Sequence, residues 1–301
     1  MIEPPFLQAN DKIGILAPAG FISEEEVQCS IKIFNDWGLD VELGKNIYKK
    51  KNNLAGNDRQ RKEDFQHFIN RNDIKAIICA RGGYGSIRII DYINFENFRQ
   101  NSKWIVGYSD ITVFHTYLQK TMRCESIHAI MPKNFQKYDL KSKPLDSLRN
   151  ALFGGKIEYT IQTHPLNRVG ETEGILIGGN LSVLYSMQGT HLDIDTKGKI
   201  LFIEDVNEYL YHIDRMITNL KLSGKLNNLK GLIIGCMNKM KDSPVAFGET
   251  AYEIISRAIK GSDYPVIFDF PAGHTKINLA LVLGKKIQMT VDPYLSKVIF
   301  K

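Results

Sequence analysis

Short apolar runs alternate with segments of helical periodicity through the first half of the chain. Lys12-Ile13-Gly14-Ile15-Leu16-Ala17 stops at Pro18-Ala19-Gly20, which predicts a buried strand and a turn. Ser23 with Glu26 three residues later forms a capping-box pattern. Val27, Ile31 and Phe34 then recur at helical spacing, and Gly38 supplies the stop. Val41-Glu42-Leu43 reads as a second strand, 58–71 as a helix with Phe65, Phe68 and Ile69 inward, and 74–80 as a nearly continuous apolar strand. After the glycine-rich turn at 82–85 a helix carrying Ile87, Ile89 and Ile90 is expected. Trp104-Ile105-Val106 runs into Gly107 and Ser109, followed by a helix to about 120, a short strand near 126–130 and a helix over 143–153. Strands alternating with helices predict a mostly parallel sheet covered on both faces.

The second half has another rhythm. A strand over 173–177 leads into Gly178-Gly179-Asn180 and a helix through Leu181, Leu184 and Met187. The apolar strand 199–203 ends on Glu204-Asp205, and Leu210, Ile213, Met216, Ile217 and Leu220 mark an amphipathic helix closed by Gly224. A strand over 229–234 and a helix over 251–259 follow. Val266-Ile267-Phe268 then approaches Pro271-Ala272-Gly273-His274, and short strands are expected at 279–283, 287–291 and 297–300. The pattern fits a smaller, β-rich mixed domain. Regularity breaks at Gly154-Gly155, Thr163-His164-Pro165 and Asn167, so the expected domains are 1–155 and 170–301, in keeping with a 301-residue chain.

Composition narrows the class. With 43% hydrophobic and 24% charged residues the chain is that of an ordinary globular protein. No apolar run is long enough to span a bilayer, and the N-terminus lacks the basic and apolar regions of a secretory signal. Cys29, Cys79, Cys124 and Cys236 are scattered without CxxC spacing, which fits reduced thiols in the cytoplasm and neither a disulfide frame nor a zinc site. No metal-ligand spacing stands out, so no cofactor or metal is expected. Net charge is +6, yet the densest basic stretch, 45–51 with Arg59, Arg61 and Lys62, has little aromatic interleaving beyond Tyr48. It reads as a solvated face and not as a nucleic-acid groove.

Ser109 stands at a strand-to-helix corner, where a side chain is presented outward beside the N–H groups of the next turn. That suits a nucleophile; taken alone, the corner more readily suits a helix cap by Ser109 or Asp110. Arg81-Gly82-Gly83-Tyr84-Gly85-Ser86 can be an oxyanion- or carboxylate-binding loop, or a plain tight turn. It is not a dinucleotide fingerprint, because Arg88 replaces the third glycine, and it has no Walker ending. A nucleophile needs a base and an orienting acid. His274 follows a buried strand and a Pro-Ala-Gly turn, and Glu204 ends an apolar strand, with Asp205 and Glu208 as rivals. His67, His115 and His212 fall in predicted helices, and His164 and His191 in loops without an evident acidic partner. Spacing leaves the choice open.

The stretches Ile13 to Gly20, Ala80-Arg81-Gly82-Gly83-Tyr84-Gly85, Gly107-Tyr108-Ser109-Asp110, Gly178-Gly179-Asn180-Leu181, Leu201-Phe202-Ile203-Glu204-Asp205 and Gly273-His274 have a joint order and spacing that resemble the L,D-carboxypeptidase family of serine peptidases. That family includes muramoyltetrapeptide carboxypeptidases and microcin C immunity proteins. The resemblance implies Ser109 as nucleophile, Glu204 as triad acid, His274 as base, and the backbone N–H groups of Gly83 and Asp110 as the oxyanion hole; capping then falls to Asp110. It also implies a Rossmann-like parallel N-terminal domain and a smaller β-rich mixed α/β C-terminal domain, with the active site between them in a homodimer. The implied substrate is a murein tetrapeptide, cut in cell-wall recycling in the cytoplasm with release of D-alanine. A free terminal carboxylate needs a cationic or N–H-rich partner, for which Arg81 or the Ser86 helix N-terminus is the candidate; Asn180 is assigned to substrate binding. No nucleic acid or membrane partner is expected. Two departures from the family are visible. His128-Ala129-Ile130-Met131-Pro132 replaces a glycine-proline or alanine-proline step, and no glycine follows two residues after Ser109. The alternatives are a microcin-immunity-type hydrolase of aminoacyl-nucleotide amides, and a non-catalytic module binding a peptide or anion.

Overall fold

The apolar run at the start of the chain forms β1 (Lys12–Leu16), buried from its second residue onward. In the computed structural model, which describes residues 1–301, α1 (Glu24–Asp36) starts at the expected box. The Glu26 N–H donates to Ser23 Oγ at 3.3 Å and the Ser23 N–H donates to Glu26 Oε2 at 3.0 Å. β2 (Asp40–Leu43), α2 (Asp58–Asn70), β3 (Ile74–Cys79), α3 (Glu96–Gln100), β4 (Trp104–Gly107), α4 (Thr112–Tyr117), β5 (Ser126–His128), α5 (Pro132–Phe135) and α6 (Lys143–Phe153) follow. The strands pair in parallel in the order β5-β4-β3-β1-β2. The residues of β1, β3, β4 and β5 are almost all buried, as parallel strands covered on both faces require, while the edge strand β2 is partly exposed. In place of the helix expected after Ser86 stand two single 3₁₀ turns, Ser86–Arg88 and Ile90–Tyr92. Ser86, Ile89, Ile90 and Ile93 are buried at i, i+3, i+4 and i+7, so the segment keeps the helical burial stripe that the sequence shows while its backbone closes only two short turns.

Lys103, on the residue before β4, shows how the first unit satisfies a buried helix end. Its ammonium donates to the carbonyl oxygens of Phe68, Ile69 and Arg71 at 2.9, 3.2 and 2.5 Å, at the C-terminus of α2. Burial pulls its pKa down to about 8, which leaves it charged at neutral pH. Lys103→Met keeps the apolar stem and strands these carbonyls, so it is expected to cost roughly 2 kcal/mol. Both tryptophans, Trp37 and Trp104, lie in this unit, so the urea midpoint of tryptophan fluorescence reads the loss. An unchanged midpoint would show that these carbonyls need no donor.

The second sheet is built by β6 (Glu158–Gln162), β7 (Gly170–Asn180), β8 (Ile200–Val206), β9 (Gly231–Asn238), β10 (Val266–Ile267), and two later strands, β12 (Lys286–Val291) and β13 (Leu295–Phe300), with β11 (Leu281–Leu283) lying between β10 and β12 in sequence. Its helices are α7 (Leu181–Ser186), α8 (Leu210–Leu222) and α9 (Ala251–Ala258), and its order is β10-β9-β8-β7-β12-β13-β6. β7 is the hinge between two kinds of sheet. Gly170 to Ile175 pair antiparallel with β12, and Leu176 to Asn180 pair parallel with β8. Burial along β7 changes at the same point, from alternating to continuous, because one-sided antiparallel pairing gives way to a strand covered on both faces. The expected strand 173–177 is therefore the middle of a longer one, and β6 occupies part of the stretch expected to be irregular.

Two units result: Met1–Lys156 with Leu279–Val282, and Ile157–Asn278 with Leu283–Lys301. The segment expected to belong with the second half, 279–283, supplies β11, which pairs beside β5 at the edge of the first sheet. Its run Leu279-Ala280-Leu281-Val282-Leu283 is buried throughout, as a covered sheet needs, whereas β12 and β13 alternate. Parallel strands β7, β8 and β9 end together at Asn180, Val206 and Asn238, and the carboxyl ends of such strands are where open α/β sheets place their chemistry.

Candidate active site

The first unit presents Ser109 on a strained corner. β4 ends at Gly107, and Ser109 takes φ +65°, a left-handed conformation that a serine holds at a cost of about 1–3 kcal/mol. The glycine loop after β3 lies directly against it. A Cβ at Gly82 would sit 3.0 Å from Ser109 Cβ and 3.3 Å from Ser109 Oγ, so a larger residue would have to push the corner by a few tenths of an ångström. His115, assigned by periodicity to a helix, is fully buried beneath the corner. Its Nε2 lies 2.8 Å from the Gly107 carbonyl oxygen, which can only accept, so Nε2 carries the proton and Nδ1 accepts from Ser126 Oγ at 2.9 Å. Burial pushes its pKa down to about 4, and it stays neutral.

Asp110 does not cap its own helix. Neither the 3₁₀ turn at Ser109 nor α4 has a side-chain cap, and Asp110 Oδ2 instead accepts the Ser86 N–H at 2.9 Å. A longer-range donor outcompetes the local cap because the glycine loop brings the Ser86 N–H to a buried carboxylate, which is costly to leave without a donor. Arg81, at the start of that loop, donates through Nη1 to the Phe21 carbonyl at 2.7 Å, with its guanidinium 5.2 Å from the Phe21 ring centre.

The second unit holds the acid and the imidazole together. Glu204, fully buried at the end of β8, accepts from His274 Nδ1 at 2.7 Å and from the His274 N–H at 3.1 Å. Nδ1 is thereby the protonated nitrogen, which leaves Nε2 as the basic one. Gly273 precedes the histidine at φ +100°, and a Cβ there would fall 2.5 Å from Glu204 Oε2. The Asn238 amide donates to the His274 carbonyl at 2.8 Å. Burial alone would lower the His274 pKa; the charge and hydrogen bond of Glu204, with the charge of Asp205, outweigh it and raise the pKa above the usual histidine value.

Sequence spacing left Glu204, Asp205 and Glu208 as rivals, and the structure separates them. Asp205 accepts from Ser182 N–H at 2.8 Å, Val206 N–H at 2.8 Å and Asn180 Nδ2 at 3.0 Å. Burial, with Glu204 beside it, pushes its pKa up to about 6. Glu208 pairs with His212 at 2.5 Å. Asn180 caps α7 through its oxygen, accepting from Val183 N–H at 3.2 Å, while its Nδ2 bridges Asp205 and Glu204 Oε1, the latter at 3.2 Å. A substrate-binding Asn180 would therefore also be one that orients the acid. No local motif pointed to that bridge; its signal was only that Asn180 and Glu204 end neighbouring strands.

The two units match known proteins separately and jointly. A family model for an LD-carboxypeptidase N-terminal domain matches residues 13–129, and one for an LD-carboxypeptidase C-terminal domain matches 173–289. A probable murein peptide carboxypeptidase of Bacillus subtilis is 32% identical over 95% of this chain and 91% of its own. The crystal structure of a muramoyltetrapeptide carboxypeptidase from Oxalobacter formigenes superposes with TM-score 0.87 at 28% identity, covering 96% of this chain and 98% of that one. The microcin C7 self-immunity protein in its wild-type apo state gives TM-score 0.88 at 21% identity, covering 100% and 99%, a likeness of fold.

Proposed function

The chain belongs to the LD-carboxypeptidase family and is a serine-type carboxypeptidase, and from that premise we propose that it releases the terminal D-alanine of murein tetrapeptides in cell-wall recycling. The observation that carries the assignment of roles is the Glu204–His274 pair, an imidazole whose tautomer is set by a buried carboxylate, in a chain that also holds a serine at a left-handed corner. Ser109 Oγ attacks the carbonyl of the amide joining an L-configured centre to D-alanine, and His274 Nε2 takes the Ser109 proton. Glu204 holds the ring and stabilises the imidazolium. The oxyanion is received by the backbone N–H groups of Gly83 and Asp110. Collapse of the tetrahedral intermediate breaks the C–N bond as His274 returns the proton to the leaving amine. Water, deprotonated by His274, then attacks the acyl ester; collapse breaks the C–O bond to Ser109, whose Oγ takes the proton back from His274 as the tripeptide leaves.

Arg81 is the proposed partner of the terminal carboxylate. Its fixed contact to the Phe21 carbonyl uses one face of the guanidinium fork and holds a permanent charge beside the glycine loop. The cytoplasm is the compartment in which this substrate would be met. Assays of the full chain on tetrapeptides with diaminopimelate or lysine at the third position, run beside an aminoacyl-sulfamoyl adenosine, test the substrate. Tetrapeptide hydrolysis is expected to exceed the nucleoside substrate by at least about 10²-fold in kcat/KM. The reverse ratio would assign the chain to immunity-type hydrolysis, and turnover of neither would favour a binding module.

A further inference from the structure

The glycine loop and the Ser109 corner leave neighbouring strands, and the ladder that joins those strands ends below them, at Ile78 paired with Val106. Beyond that point another tie is needed to keep the two segments at a fixed separation. Asp110 supplies it from the corner. Asp110 is 4% exposed, and its carboxylate accepts the Ser86 N–H at 2.9 Å, with the Gly85 N–H also directed to it. The other end of the loop is anchored where the Gly20 N–H donates to the Gly82 carbonyl at 3.0 Å. Gly83 is thus held between two hydrogen-bonded points, one of them on the residue that follows the nucleophile.

A buried carboxylate is expensive unless its surroundings compensate it. Here Arg61 does part of this. Its fully buried guanidinium donates to the Pro18 and Gly56 carbonyls, each at 3.0 Å, and lies against Gly85. Its positive charge favours ionised Asp110, against the upward push of burial. A helix cap would need none of this arrangement.

We propose that Asp110 is a positioning residue whose carboxylate sets the distance between the Gly83 N–H and its own backbone N–H, the two donors that receive the oxyanion. The inference rests on the oxyanion assignment made above. Donors in such a hole must meet an oxygen that exists only in the transition state, so their spacing has to be built before substrate arrives. A glycine-rich segment does not hold such a spacing by itself. The side chain and the backbone of one residue therefore do linked work, one fixing the loop and the other facing the oxyanion.

Asp110→Asn and Asp110→Ala in the full chain test this. Asparagine keeps an acceptor for Ser86 but turns an amide N–H toward that of Gly85; alanine removes the tie. Reactive Ser109 is counted with a fluorophosphonate. Affinity is measured for a peptide boronic acid, whose tetrahedral adduct on Ser109 places an oxygen in the hole. Per titrated site, kcat is expected to fall about 10-fold for asparagine and about 10²-fold for alanine, with KM within about threefold. Boronate affinity should fall in step with kcat. Wild-type boronate affinity in the variants, or a loss confined to the number of titratable sites, would overturn the proposal. If the alanine variant does not fold, the asparagine variant decides. Failure of the murein assignment shows separately, as absent D-alanine release by the wild-type chain, while boronate affinities still rank the variants.

Discussion

Ser109→Ala is expected to lower D-alanine release by at least about 10⁴-fold, because nothing else on the corner can form the acyl ester. The companion change Ser109→Gly should be equally inactive and yet more stable. At φ +65° both serine and alanine carry the left-handed penalty, whereas glycine carries almost none. The first unit of the glycine variant should therefore gain about 1 kcal/mol, after the offsetting flexibility glycine adds to the unfolded chain. Tryptophan fluorescence in urea measures that gain, and chromatographic detection of D-alanine measures the loss. A stabilised, inactive glycine variant is the signature of strain kept for chemistry. Release at the wild-type rate by Ser109→Ala would remove Ser109 from the mechanism, and a glycine variant no more stable than wild type would remove the strain.

How much of this was legible in the sequence differs from element to element. The strands β1, β3, β4 and β8 and the helices α1 and α6 stand out because short apolar runs, a capping box and helical spacing are local signals. The Ser109 corner was visible for the same reason. The role of the Asp110 side chain was not, since capping preference is a statement about the next turn, while its partner Ser86 lies on another strand's loop. His115 was hidden likewise: helical periodicity places it, but only the return of α4 under β4 buries it at the Gly107 carbonyl. β11 sat among strands of the second half in the sequence and joined the first sheet in space, an exchange that periodicity cannot encode. Glu204 could be told from Asp205 only once the turn at Gly273 brought an imidazole to one of them.

That last choice can be reversed by experiment. Glu204→Gln preserves volume and one acceptor oxygen but loses the charge and adds an amide donor beside the ring, so Nδ1–H is no longer enforced as the tautomer and imidazolium is no longer stabilised; kcat should fall by about 10⁴-fold. Asp205→Asn leaves the Glu204 acceptor of His274 in place and removes a neighbouring negative charge, with its amide oxygen serving the Asn180 and Val206 donors and the Ser182 N–H losing its acceptor. As the proposed base His274 has to be neutral, so kcat/KM is expected to rise with pH through its pKa, which lies above the usual histidine value. A negative neighbour raises that pKa, and Asp205 is ionised above about 6. Its removal should move the acidic limb of the kcat/KM profile to lower pH, with the plateau within a few-fold of wild type. The two adjacent acids thus predict opposite kinds of defect, one in rate and one in pH dependence. A profile displaced by Glu204→Gln at full plateau, with Asp205→Asn inactive, would exchange their roles. Asn180, which donates to both carboxylates, would then be orienting Asp205 toward the imidazole in place of Glu204.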